Sequence, residues 1–303
     1  MRRTSSNEAS PQLSAAIAKA VRGERQPLID VLCRGSGLPG TRTNFNLAQV
    51  FAAECVTLGA AADGLIDFLA GLSADDAPGG GSGTYGAGSE LEFLPVCGVI
   101  AAGARASRDE TCRRHMLPVL HDAAGDLRFR VRDAVPLALA QLGGRMGDAL
   151  VIEVEGWMDG FFHAAAVLRA LVSHDWLVRV SDAPGACGLF VSAFNLASGA
   201  QRAAARYPGY KALLEAMQKA VEPMASRFGV PMFDALAGLA REKDPVLRDL
   251  ITGAVDTDKL HARHADDVRR VLAAFVATKK PVRDPRSLPR PTRKRGGGQR
   301  RSG

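Results

Sequence analysis

Aromatic residues are scarce, with Phe, Tyr and Trp making up 6% of the 303 residues and Trp occurring only twice. That scarcity disfavours a β-sandwich, while the abundant alanine suits closely packed helices. Cysteine is also sparse. Cys33, Cys55, Cys97, Cys112 and Cys187 are odd in number and form no CxxC pair, which argues against a disulfide framework or a zinc site and for a reducing compartment. No run of about 18 apolar residues stands out, so no membrane span is expected. The opening MRRTSSNEASPQL lacks the apolar centre of a signal peptide, and Arg2-Arg3 makes no credible twin-arginine signal. A cytoplasmic location is the expectation. HExxH, GxSxG and the phosphate-binding GxxxxGK are all missing. No catalytic residue, cofactor or metal is expected.

What is present begins with charge. The chain carries +7, and ten basic residues with one acid (Asp284) lie in residues 279–303. That tail therefore holds +9 and leaves −2 on residues 1–278. It combines proline, glycine and arginine without an aromatic residue, so it cannot bury a core and is expected to be disordered, like residues 1–9. Arg290, Arg293, Lys294, Arg295, Arg300 and Arg301 can neutralise phosphates without reading bases, which predicts weak, sequence-independent contact with nucleic acid.

Between these ends, residues 10–278 read as one all-α domain. Apolar positions recur at helical spacing over 11–21, 27–33, 44–58, 65–72, 90–104, 107–124 and 126–142. Further helices are expected over 161–172, 189–197, 208–228, 231–254 in two parts, and 257–277, with 173–188 rich in turns. ALVIEVEGW has strand-like β-branched residues, but helices on both sides predict a buried helix. Residues 73–89 form a Gly-rich loop containing GxGxxG (Gly81, Gly83, Gly86). A dinucleotide site needs that motif directly after a strand. A helix and an acidic turn precede it here, so a flexible connection is expected.

The best-patterned stretch is 113–143. Met116, Leu117 and Leu120 share one face, and Val131, Ala134, Val135, Ala138, Leu139 and Leu142 make a stripe of period 3.6. Two short helices joined by a turn cannot bury their outer faces alone and imply stacked neighbours. Pro118, Asp126 and Arg132 stand in this stretch at eight- and six-residue intervals within an LPxL…VRxAV frame. With those residues the unit resembles a HEAT repeat. A weaker match covers 232–254, with Arg248 in the arginine position. The resemblance implies a right-handed α-solenoid of antiparallel helix pairs with a binding surface, and implies no chemistry. In it Pro118 bends the first helix, Asp126 caps the second, and Arg132 reaches an aspartate.

Three groups compete for function. Trp157, Asp159, Trp176, Asp175 and Arg179 combine large aromatics with charge, a mixture suited to a groove that takes a partner. The mixture resembles the groove residues of HEAT-like alkylpurine DNA glycosylases. Arg128, with Arg130 and Arg132, is either a nucleic-acid contact or part of an ion-pair ladder with Asp122, Asp126 and Asp133. His261 and His264 have a permissible metal spacing beside Asp258 and Asp267, but His264 shares a face with Leu260, Val268, Val271 and Phe275 and reads as packed. The leading expectation is a non-enzymatic scaffold for a protein partner. The alternatives are a DNA-binding or DNA-repair solenoid and a phycobilin-lyase-like modifying protein. Lysine and arginine lining the groove favour nucleic acid, and an apolar or acidic lining favours protein.

Overall fold

The computed structural model describes residues 11–74 and 85–278, with only the backbone of Arg202. The basic tail, residues 1–10 and residues 75–84 of the Gly-rich loop, including Gly81 and Gly83, lie outside the described residues. All regular structure among the described residues is helical. The first helices are α1 (Pro11–Val21), α2 (Gln26–Gly35), α3 (Phe45–Leu58), α4 (Asp63–Ala70) and α5 (Phe93–Ala106). They continue as α6 (Glu110–Ala124), α7 (Phe129–Met146), α8 (Asp148–Glu153), α9 (Phe161–Leu171) and α10 (His174–Leu177). The last are α11 (Ala183–Ser198), α12 (Pro208–Phe228), α13 (Val230–Gly238), α14 (Pro245–Val255) and α15 (Asp258–Ala277).

Local chemistry sets most of these starts. Asn44, Asp109, Ser173, Asp182 and Thr257 each accept a backbone N–H of the first turn of α3, α6, α10, α11 and α15. Proline occupies the first turn of α2, α11, α12 and α14, where its missing N–H costs nothing. ALVIEVEGW is helical, as α8 followed by a 3-10 turn at Glu155–Trp157. The expected turn-rich span 173–188 is a correction. α11 starts at Ala183, because Asp182 caps it and Pro184 opens it, which outweighs the glycines that follow.

The organising element is α5, not the 113–143 stretch. Thirteen of its fourteen residues are buried, and it packs against α3, α4, α6 and α7. Two glycines permit this. A Cβ on Gly98 would lie 2.3 Å from Ala70 N, and one on Gly103 would lie 2.5 Å from Ala138 Cβ. A helix surrounded on all sides shows no apolar stripe, so its sequence does not announce its place. Beyond α5, packing runs in order: α3 on α5, α5 on α7, α7 on α9, α9 on α12, and α12 on α14. Leu139 and Leu142 on α7 are fully buried in this core.

One expectation about membranes needs amending. Phe45–Ala70, spanning α3, a 3-10 turn and α4, is long and apolar enough to cross a bilayer by length and composition. Its first part carries a single charge, Glu54. The stretch turns sharply at Gly59 (φ 62°), and Phe51, Cys55, Leu65, Ile66 and Leu69 all enter the protein core.

Candidate functional site

The repeat-signature residues form a structural lock. Asp126 Oδ1 accepts the backbone N–H of Arg128, the residue that precedes α7 (2.7 Å), and its carboxylate pairs with the Arg128 guanidinium at 2.6 Å. Arg128 is 2% exposed and also donates to Tyr85 O (3.0 Å) and Leu72 O (2.7 Å). A side chain so enclosed cannot touch nucleic acid, which corrects the reading of Arg128 as a contact. Arg130 is equally committed, pairing at 2.9 Å with the fully buried Glu92 and donating to Gly40 O. Arg132 donates to the backbone carbonyl of Asp126, not its carboxylate, and stacks over Phe162 at 4.3 Å. Pro118 sits inside α6. In the weaker unit Arg248 likewise binds carbonyls, those of Ala240, Glu242 and Phe275. The arginines thus tie helix ends to connections, and Arg128 and Arg130 are withdrawn from the surface.

The groove candidates separate into two places. Asp175 and Arg179 lie at the edge of a groove of about 970 Å3 that crosses α3, the ends of α5 and α7, and α10. Arg108 and Arg145 also line it. All three arginines are exposed, and none has an acidic partner among the described residues. His174, Gln49 and Gln141 add polar groups, and Asp175 is the acid in the lining. Sequence reasoning does not single out Arg108 and Arg145. Each lies at a helix C-terminal end, where a basic residue is ordinary, and only packing brings them to the same groove. Trp176 does not belong to that surface. It is fully buried, donates from Nε1 to Gly147 O (3.1 Å), and packs so closely on Gly143 that a Cβ there would lie 2.0 Å from Trp176 Cγ.

Trp157 and Asp159 lie at a second place, with two histidines. Trp157 is 6% exposed and packs edge-on against His121, ring centroids 5.1 Å apart. Asp159, in the turn before α9, is half-exposed. Its Oδ1 accepts from His163 Nδ1 at 2.7 Å and its Oδ2 from His121 Nε2 at 3.1 Å. The two imidazoles stack at 3.9 Å, tilted by 40°. Partial burial raises the Asp159 pKa, but hydrogen bonds from His163 and His121 outweigh it and hold the carboxyl below its ordinary range. One donor atom from each of His121, Asp159 and His163 lies within 4.8 Å of the others. Two imidazoles and a carboxylate are a donor set for a first-row divalent metal. Sequence reasoning misses the histidines because 38 residues separate His121 from Asp159. The one legible signal is the i, i+4 spacing of Asp159 and His163.

The remaining histidines and the cysteines offer less. His261 pairs with Asp256 at 2.7 Å, and His264 packs on Phe233, so they do not converge as a ligand pair. All five cysteines are buried and unpaired. Burial pushes the Cys33, Cys112 and Cys187 thiols up to about 11 and Cys55 to about 12, and it raises Cys97 well above its ordinary value. Thiols held that high are protonated at neutral pH and are poor nucleophiles. In comparisons with known proteins, no family model, curated protein or solved structure matches this chain.

Proposed function

We propose that this chain is a non-enzymatic binding scaffold, a HEAT-like solenoid whose groove over α3, α5, α7 and α10 holds a nucleic-acid backbone. The solenoid reading is supported by the ordered packing from α3 to α14 and by the Pro118, Asp126 and Arg132 pattern. The observation that carries the occupant is the set of three exposed arginines, Arg108, Arg145 and Arg179, lining one groove with Asp175 and forming no ion pair among the described residues. Guanidinium groups match phosphate oxygens in a two-pronged geometry, and an unneutralised set of them attracts a polyanion. Because residues 1–278 carry −2 in total, this attraction is local to the groove. The basic tail adds a second, non-specific contact.

Ala53, Val56, Ala104, Ala140 and Val178 lie between the arginines, and this favours an acidic amphipathic peptide as the second reading. The deciding measurement is fluorescence anisotropy of a labelled 20-base-pair duplex at two salt concentrations. It compares the full chain with Arg108→Gln/Arg145→Gln/Arg179→Gln and with a chain lacking 279–303. For every phosphate that is no longer neutralised, the slope of log K against log salt should flatten by about 0.9. The groove variant should therefore bind more weakly and with a shallower slope. If it binds as the wild type does and the tail deletion alone removes binding, the groove does not hold nucleic acid.

A further inference from the structure

The cluster of His121, Asp159 and His163 stands apart from the arginine groove and plays no part in that binding. It joins three elements: the last turn of α6, the turn before α9, and the first turn of α9. We propose that these three side chains form a binding site for a divalent transition metal of the zinc class, through His121 Nε2, Asp159 and His163 Nδ1.

Geometry supports this first. Metal–ligand bonds of about 2.0–2.2 Å at tetrahedral angles place ligand atoms roughly 3.3–3.5 Å apart. The observed separations to the carboxylate are 2.7 Å for His163 Nδ1 and 3.1–3.3 Å for His121 Nε2. An ion enters by displacing hydrogen-bonding protons, with His163 Nδ1 parting from the carboxylate by about 0.6–0.8 Å and His121 Nε2 by a few tenths of an ångström at most.

The protons have somewhere to go. In the neutral state each imidazole now donates to Asp159 from the nitrogen that would bind the metal. On binding, each moves its proton to the other ring nitrogen, so the neutral rings lose none overall. For His121 that other nitrogen, Nδ1, stands 3.9 Å from Asp122 Oδ1, too far for a hydrogen bond, and the proton there faces solvent beside that carboxylate. For His163 the other nitrogen, Nε2, points past Gly125, where a Cβ would lie 3.3 Å away.

The backbone around His163 is shaped to the ring. Gly160 precedes α9, and a Cβ on it would lie 2.8 Å from His163 Nδ1, the proposed ligand atom. Any side chain at 160 would push the ring off the carboxylate. The exposures, 27% for His121, 19% for His163 and 52% for Asp159, leave the cluster accessible to an incoming ion. Three protein ligands leave one position open. A solvent molecule can complete the coordination of an ion held by three protein ligands. His121 and His163 also help to line a groove of about 630 Å3, with Ser73, Asp122 and Asp126.

Trp157 supplies the reporter. Its ring touches His121, while Trp176 is sealed in the core against Gly143 and Gly147. Titrating the full chain with Co2+ should quench Trp157 fluorescence and give the visible absorption of a low-coordinate cobalt site. Zn2+ calorimetry should show about one equivalent bound at micromolar or tighter affinity. Asp159→Asn removes the anion from a half-exposed position and should stay folded with only a small loss of stability, yet weaken Zn2+ binding by at least about tenfold. Gly160→Ala should do likewise by crowding Nδ1. Trp157→Phe should abolish the quenching and leave the calorimetric affinity unchanged. If the native chain binds neither Zn2+ nor Co2+, the cluster is only a hydrogen-bonded trio. If Asp159→Asn and Gly160→Ala bind as the wild type does, the metal sits elsewhere. Either result overturns the proposal.

Discussion

At the scale of single residues, the arginines show how much depends on what surrounds a charge. Arg128 is enclosed by Asp126 and the carbonyls of Tyr85 and Leu72. As a helix cap alone, Asp126 would be worth about 0.5–2 kcal/mol. As the counter-ion of a buried guanidinium it should be worth about 3–5 kcal/mol, because its removal strands a charge out of water. Urea unfolding of Asp126→Ala decides between these, and a loss under about 2 kcal/mol would mean that Arg128 finds water in the variant. Asp159 makes a different prediction, on pH. Its pKa is depressed in the folded state, so its contribution is present above the unfolded carboxyl value and fades as pH falls through the folded one. The stability gap between the wild type and Asp159→Asn should therefore close as pH falls through and below the ordinary carboxyl range. A gap that persists to pH 2 would contradict the hydrogen bonds to His121 and His163. The cysteines predict slow chemistry. A thiol reagent should label the native chain slowly at neutral pH and all five positions quickly in denaturant, since burial raises every one of the thiols.

At the scale of elements, α5 and α7 carry the core between them. Leu139 is fully buried in the middle of the α7 stripe, so Leu139→Ala should cost about 2–5 kcal/mol, depending on how far the site collapses. Glycine gives a paired test. Gly103→Val places atoms inside Ala138 and should destabilise by about 1–3 kcal/mol through overpacking. Gly64→Ala, in α4 with nothing within 4 Å of the new Cβ, should instead stabilise by about 0.4–1 kcal/mol, because alanine restricts the unfolded chain. Melting curves of the two variants should move in opposite directions. If Gly103→Val melts at the wild-type temperature, α5 and α7 are not as close as described.

At the scale of the whole molecule, charge is divided between a nearly neutral body and a basic tail of ten cationic residues. Removing 279–303 should eliminate most non-specific affinity for nucleic acid, and the arginine groove should account for what remains. Much of this architecture can be read from residue order alone. The helical class, most helix starts and the 113–143 pair follow from apolar spacing and capping chemistry, which act within a few residues. The short reach of those forces also explains what stays hidden. α5 has no polar face to give it a period, so its central place emerges only when four helices enclose it. The direction of Arg130 depends on partners 38 and 90 residues away, Glu92 and Gly40. Trp176 reads as a groove residue because tryptophan suits both surfaces and cores, and the absent side chain at Gly143 settles the matter. His121, Asp159 and His163 become a cluster, and Arg108, Arg145 and Arg179 a groove lining, because packing brings separate helices together. Local sequence determined which segments are helices. Only the tertiary structure decided which side chains meet, since that depends on burial and close approach between segments far apart in the chain.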